Sequence, residues 1–252
     1  ATGVWEAQMA RHSARATLTP GGRLEVSCAT ADIGTGTYTI LTQIAAEELG
    51  LAMEDVTVRL GDSDLPAAPV EGGSWTAASA GTAVQMACRT VRETLLKHAR
   101  RVEGSPVGNA GAEDVVFRDG RIALRDDPSR FVTAAAAMAA GGVERIEAEE
   151  TASPSLLTQM RYAAYTHMAV FTEVRVDEEL GIVRVPRIVA AVAAARILNP
   201  KTARSQIIGG LVWGVSMALH EESMPDHALG RFMNHNFAEY HIPVNADIGE
   251  IE

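Results

Sequence analysis

One stretch constrains the fold of this 252-residue chain more than any other, and it runs from Arg196 to Leu219. Asn199 can cap a helix, and Pro200 suits its first turn, where a missing N–H costs nothing. Beyond that start, Ile207, Ile208, Leu211, Val212, Val215 and Leu219 form a broad apolar face at helical spacing. Gly210, Gly214 and Ala218 recur every four residues and line up as one smooth stripe. Each interior glycine costs about 1 kcal/mol against alanine. The stripe therefore predicts a neighbouring backbone packed close against it, and Gly214→Leu is expected to overpack that contact. The apolar run from Ile207 to Leu219 falls short of the ~20 residues a bilayer needs. With Arg204 and Gln206 before it and His220, Glu221 and Glu222 after it, the stretch reads as a buried helix rather than a membrane span.

Hydrophobic residues make up 47% of the chain and aromatics only 5%, which predicts an Ala/Val/Leu/Ile interior in one large domain or two lobes. The balance of 22 basic against 32 acidic residues gives −10. That argues against a nucleic-acid partner or an anionic membrane surface. Cys28 and Cys88 are too few for a disulfide scaffold or a protein-ligated iron–sulfur cluster. The chain opens mid-pattern at Ala1-Thr2-Gly3-Val4-Trp5, without a signal peptide, and stops at Gly249-Glu250-Ile251-Glu252. It reads as part of a longer polypeptide.

In chain order, Arg15 to Ala29 alternates as strands around a Pro20-Gly21-Gly22 turn. A Gly/Thr loop, Asp32 to Thr39, leads into a helix on which Ile40, Leu41, Ile44, Ala45 and Leu49 share a face and which Gly50 ends. Val56 to Leu60 is a strand. Glu71 to Gly81 is a second small-residue loop feeding a long helix with Val84, Ala87, Cys88, Val91 and Leu95 on one side. Glu103 to Glu113 reads as a linker, Val115 to Leu124 as a hairpin around Arg118-Asp119-Gly120, and Phe131 to Ala140 as a short helix closed by Gly141-Gly142. Val143 to Thr151 returns as a strand. Ala169–Val176 and Ile182–Ala195 are strands that lead into the opening helix. The fold expected is α+β, two lobes built from repeated strand–loop–helix units. Residues 1–103 form the first lobe, 104–159 a linker with hairpin and short helix, and 160–252 the second.

Three segments combine glycine with hydroxyl or amide side chains at expected helix starts: Gly34–Thr37, Gly73–Thr76 and Ser205–Gln206. Helix N-termini present unpaired N–H groups and positive dipole ends, which suit phosphate or another polar anionic ligand. An ordinary strand-to-helix connection is the alternative for each loop taken singly. Gly34-Thr35-Gly36-Thr37-Tyr38-Thr39 lacks the third glycine of a dinucleotide fingerprint, and no lysine completes a P-loop. Gly72-Gly73-Ser74-Trp75-Thr76 has a passing likeness to a nucleophile elbow but lacks its second glycine. His220-Glu221 has Met224 where a zinc-protease helix needs histidine. His227, His235 and His241 read as solvated or structural residues. From the residues alone the chain is an α+β binder of a polar, phosphate-bearing ligand.

The letters carry more. Asp32-Ile33-Gly34-Thr35-Gly36-Thr37-Tyr38-Thr39 and its helix to Gly50 resemble a cofactor loop of the molybdenum-binding subunit of the xanthine dehydrogenase/aldehyde oxidase family. Gly72–Gly81 resembles its second cofactor loop and Arg196–Gly210 its third. With Tyr240-His241-Ile242-Pro243-Val244-Asn245, the order and spacing match over nearly the whole chain, most closely that of bacterial aldehyde dehydrogenases with separate iron–sulfur, flavin and molybdenum subunits. The resemblance implies a molybdenum–molybdopterin cofactor, in its cytosine dinucleotide form, held without protein metal ligands. The cofactor-binding residues it implies are Gly34, Thr35, Gly36, Thr37, Gly73, Ser74, Trp75, Thr76 and Gln206, converging on one cleft. It implies an iron–sulfur subunit and an FAD-binding subunit as partners, and a small-molecule aldehyde or N-heterocycle as substrate.

The chain departs from that pattern at Thr35, where many relatives carry glutamine. Ser205 stands where glycine is usual, and Ala193 and Ala195 stand where an Asp and a Gly are common. The family's catalytic glutamate lies in a Gly-Glu-x-Gly segment beyond the last motif here. Gly249-Glu250-Ile251-Glu252 comes too soon and lacks the second glycine, so no catalytic residue is assigned. The stretch by itself is expected to be catalytically inert. Two rival readings are a non-catalytic module that kept the fold and a hydrolase using Ser74.

Overall fold

The computed structural model describes residues 1–6 and 9–252. These fall into two compact units: a larger one spanning 9–164, and a smaller one in which Ala1–Glu6 joins Tyr165–Glu252. Strand β1 (Thr2–Glu6) belongs to the smaller unit.

The larger unit starts with a hairpin, β2 (His12–Leu18) and β3 (Leu24–Ser27), antiparallel around the expected turn. Gly22, at φ 79°, takes the left-handed backbone that favours glycine there. Helix α1 (Thr37–Leu49) crosses over to β4 (Val56–Arg59), which pairs parallel with β3. Helix α2 (Thr76–Ala99) follows. A small antiparallel sheet, β5 (Val115–Arg118), β6 (Arg121–Leu124) and β7 (Phe131–Thr133), comes before α3 (Ala134–Gly141). Strand β8 (Ile146–Ala152) returns to pair with β2 and completes the order β4-β3-β2-β8, and α4 (Leu156–Arg161) ends the unit.

The two faces of this sheet follow the period of two. His12, Ala14, Ala16 and Leu18 of β2 are buried, while Ser13, Arg15 and Thr17 meet Thr151, Glu149 and Glu147 across the outer face at 2.8, 2.8 and 3.2 Å. The buried side lies under α1 and α2. The predicted α2 face of Val84, Ala87, Cys88, Val91 and Leu95 is buried, as are Leu41, Ala45 and Leu49 of α1. Each large aliphatic side chain so removed from water contributes about 1.5–3 kcal/mol. The close helix approach sits here, where a Cβ on Gly81 of α2 would stand 2.9 Å from Ile44 Cδ1 of α1.

The segment 104–159, expected as a linker with a hairpin and a short helix, packs into the same core through Val107, Val115, Ile122, Ala137 and Met138. Phe131–Thr133, expected as the start of a helix, is strand β7. The helix begins only after it, with Thr133 Oγ1 accepting the N–H of Ala136 at 3.1 Å.

In the smaller unit, β9 (Tyr165–Asp177) and β10 (Ile182–Ala193) form the long expected pair, flanked by β1 and by β13 (Glu250–Ile251). The register shifts between Arg184 and Arg187, where Pro186 cannot donate to the ladder. Helix α5 (Pro200–Leu219) starts as expected, with Asn199 Oδ1 accepting from Lys201 N at 3.1 Å and Thr202 N at 3.3 Å. A short hairpin, β11 (Pro225–Asp226) and β12 (Arg231–Phe232), follows it.

Two expectations for α5 are corrected. Only Val215 and Ser216 of this helix are buried. Gly210 and Gly214 are exposed, and nothing lies within 4 Å of a Cβ built on either. A row of small residues permits close approach without requiring it. Gly214→Leu accordingly meets open space. Among the described residues no helix is long and apolar enough to cross a membrane.

Candidate functional site

Strands β3 and β4 are parallel neighbours, so the chain leaves both at the same edge of the sheet. Open α/β sheets place ligands at this carboxyl edge of their strands. The loops that follow run side by side. Cys28 N donates to Arg59 O at 3.2 Å, Gly61 N to Thr30 O at 2.8 Å, and Ala29 N to Pro66 O at 2.8 Å. The first loop ends at the start of α1 and the second at the start of α2. Gly34–Thr37 and Gly73–Thr76 are thereby brought to one side of the larger unit.

The two helix starts differ. At α1 the Asp32 carboxylate accepts the N–H groups of Gly34 at 2.9 Å, Gly36 at 3.3 Å and Tyr38 at 3.2 Å. Burial pushes the Asp32 carboxyl up, but bonds from Tyr38, Gly34, Gly36 and Thr37 outweigh it and hold the group below its ordinary range. The glycine N–H groups of this loop are thus already engaged by an internal anion. What the loop offers outward is the half-buried Thr35, whose hydroxyl lies 3.4 Å from that of buried Thr37.

At α2 no side chain caps the helix. Gly72, Gly73 and Ser74 all have positive φ, at 150°, 64° and 62°, and Trp75 then turns right-handed into the helix. Such a left-to-right turn makes a backbone nest that suits an anion. The Trp75 indole donates to Val70 O at 3.1 Å. Its ring lies over Gly73, where a Cβ would stand 3.2 Å away. Gly73 and Ser74 are exposed and Trp75 is half-buried. The Ser74 hydroxyl has no hydrogen-bond partner among the described residues.

Glu71 joins the two loops. One carboxylate oxygen accepts the Thr30 hydroxyl at 2.8 Å and the other the Thr76 hydroxyl at 2.7 Å. Within electrostatic reach of Glu71 is His12, 2% exposed, with neither ring nitrogen hydrogen-bonded among the described residues. Burial pushes its pKa down, and the negative charge of Glu71 acts in the opposite sense. Burial also raises the Cys28 thiol, up to about 11, so it stays protonated. A backbone bond from Thr30 opposes this shift and Glu71 adds to it. Sequence reasoning missed Glu71 and His12. No local pattern signals a bond spanning 41 residues.

Gln206 belongs to the smaller unit and lies in the second turn of α5, exposed. This corrects its expected place at a helix start. Its own N–H is inside the helical ladder, and only the side-chain amide faces outward. Ser205 turns back to Lys201 O at 3.1 Å. Ala195, where glycine was expected, has φ 55°, so the turn keeps a glycine-like backbone. Tyr240 donates to Glu221 at 2.7 Å, and Ser216 donates to the other oxygen of the same carboxylate. These two bonds hold the Glu221 carboxyl below its ordinary range. They tie the Tyr240 motif to the end of α5. Glu250 lies in an edge strand, and Glu252 is ion-paired with Arg187 at 2.6 Å.

Among the described residues no group of three His, Cys, Asp or Glu could hold a metal ion. What the site offers to a metal-bearing group is backbone N–H and hydroxyl donors. The uncapped α2 start, the nest at Ser74 and the neutral hydroxyls fit the phosphate-bearing part of such a group.

Residues 1–249 match the family model of the molybdopterin cofactor-binding domain, and the chain belongs to that family. It is 42% identical, over 96% of its length, to the aldehyde oxidoreductase molybdenum-binding subunit PaoC of Escherichia coli K12, of which it spans 31%. It is 28% identical over 92% of its length to the 6-hydroxypseudooxynicotine dehydrogenase complex subunit gamma of Paenarthrobacter nicotinovorans, of which it spans 29%. The fold matches that of quinoline 2-oxidoreductase from Pseudomonas putida 86 with a TM-score of 0.82, at 23% identity, over the whole chain and 34% of that structure. The chain thus spans about a third of the length of these relatives.

Proposed function

We propose that this chain is the cofactor-holding part of a molybdenum hydroxylase subunit that oxidises an aldehyde, or failing that an N-heterocycle, with water. The single observation that carries this reading is the pair of small-residue loops leaving parallel β3 and β4 at one sheet edge, one of them ending in an uncapped helix start. When bound, the molybdenum cofactor supplies the two-electron oxidation of the substrate. This chain's own residues hold it. Gly73, Ser74, Trp75 and Thr76 present the nest and helix N-terminus to its pyrophosphate. Thr35 and Thr37, between Gly34 and Gly36, line the adjoining rim. Gln206 is included on its motif alone.

The N–H and hydroxyl groups of the site suit two linked phosphates and so support a dinucleotide form, and the cytosine base is taken from the family resemblance alone. An iron–sulfur subunit takes the electrons and an FAD-binding subunit passes them on. The relative at 42% identity, an aldehyde oxidoreductase subunit, favours aldehyde over heterocycle. The left-handed backbone kept at Ala195 speaks against a module that has drifted from the binding geometry. The test is to purify the subunit carrying this stretch with its partner subunits, then measure molybdenum, acid-released cytidine monophosphate and aldehyde-dependent dye reduction. Absence of all three refutes the reading. Molybdenum with no cytidine nucleotide refutes only the cytosine dinucleotide form.

A further inference from the structure

We infer that Glu71 is a positioning residue of this site: its carboxylate clamps the two small-residue loops together, and ligand holding at Gly73–Thr76 depends on that clamp. The inference rests on the cofactor reading above. Each carboxylate oxygen takes one hydroxyl, from Thr30 in the first loop and from Thr76 at the first residue of α2. Thr30 is itself 3% exposed and anchored, since its carbonyl accepts Gly61 N at 2.8 Å. The clamp therefore pulls the start of α2 against a rigid part of the sheet edge.

Two consequences follow from the hydrogen count. Thr76 gives its one hydroxyl hydrogen to Glu71, so toward a phosphate oxygen it can offer only its backbone N–H. The clamp thereby selects which donor faces the ligand. A carboxylate beside a helix N-terminus is favoured by the dipole but competes with an anionic ligand for it. The clamp thus works through its hydrogen bonds and in spite of its charge. His12 lies within electrostatic reach of the same carboxylate, buried and with no partner for its ring nitrogens among the described residues.

Glu71→Gln separates bonding from charge, because an amide can accept from Thr76 and donate to the Thr30 oxygen. Glu71→Ala removes both bonds, and Thr30→Val removes one from outside the candidate binding set. The test uses the subunit with its partners and two readouts. One is pterin released per polypeptide. The other is the near-ultraviolet circular dichroism band of Trp75, assigned by Trp75→Phe. Glu71→Ala is expected to lower bound pterin about tenfold, as when about one hydrogen bond's worth of loop ordering must come from binding. It should also flatten the Trp75 band. Thr30→Val should do the same to a smaller degree, and Glu71→Gln should keep both signals. Wild-type pterin content with an unchanged Trp75 band in Glu71→Ala overturns the inference. So does a Glu71→Gln variant that loses pterin while keeping the band, since charge would then be the operative property. If Glu71→Ala does not fold, Thr30→Val and Glu71→Gln decide by the same two signals. A wild-type protein without pterin refutes the cofactor reading instead, and the Trp75 band alone then decides the clamp.

Discussion

Replacing Asp32 by alanine removes the acceptor for three N–H groups at the start of α1, and the structure sets the size of the loss. The bond from Gly34 is 2.9 Å, while those from Tyr38 and Gly36 are longer, at 3.2 and 3.3 Å. The loop is partly exposed, so water can replace some of what is lost. Each bond then contributes near the low end of 0.5–1.5 kcal/mol. The charge beside the helix start adds about 0.3–1 kcal/mol. The expected cost of Asp32→Ala is about 2 kcal/mol. Asp32→Asn, which keeps one acceptor oxygen and loses the charge, should cost about half of that. Urea unfolding at neutral pH reads both values. The pH dependence gives a second reading with a fixed sign. The Asp32 carboxyl is held below its ordinary value in the fold, so its contribution is complete above the unfolded value of about 3.9. It is lost as pH falls through 3.9 toward the folded value. The gap between wild type and Asp32→Asn should therefore close on acidification. A loss under about 0.5 kcal/mol in Asp32→Ala, or a gap that persists unchanged to pH 2, refutes the anchoring role assigned here.

Gly50→Ala should be destabilising by about 2–4 kcal/mol, seen as a lowered Tm. It forces alanine into φ 60° and drives a Cβ into the Phe117 carbonyl. Ala195→Gly should stabilise by about 0.5–1 kcal/mol, the relief of left-handed strain at φ 55° less the added unfolded-chain entropy. A destabilised variant would show that the turn gains something from the methyl group. The 252-residue stretch expressed alone is expected to purify without molybdenum and to reduce no dye with any aldehyde. Turnover by such a molybdenum-free preparation would mean the chemistry is wrong.

The fold was legible wherever a local rule decides the outcome. The Pro20-Gly21-Gly22 turn, the left-handed Gly50 cap, the Asn199–Pro200 start and the α2 face all depend on residues within one turn of each other. Failures came where a partner distant in the chain decides. Glu103 to Glu113 has the composition of a linker, yet one fully buried residue, Val107, pins its neighbourhood to the core. Helix α4 went unread although Ser155 caps it through Thr158 N, because six residues are too few for a periodic pattern to emerge. The small-residue stripe of α5 is expected as a packing surface, while close helix contacts are made elsewhere, by Gly81 of α2 against Ile44 and by Gly141 of α3 against His98.

The same distinction explains the site. Glycine and hydroxyl residues before two helices were enough to mark both loops, and on sequence grounds they looked equivalent. What makes them unequal is one side chain in each case. Asp32, four residues before its helix N-cap at Gly36, turns inward and satisfies α1 from within. Glu71, also four residues before its N-cap at Trp75, reaches across to Thr30 and takes the Thr76 hydroxyl. Two acidic residues at matching offsets thus produce different arrangements, one engaging the N–H groups of its own helix start and the other tying its helix start to the neighbouring loop. If that division is right, phosphate contacts concentrate on Gly73–Thr76. Substitutions at Gly34 and Gly36 should then act first on the stability of α1, and only through it on the cofactor.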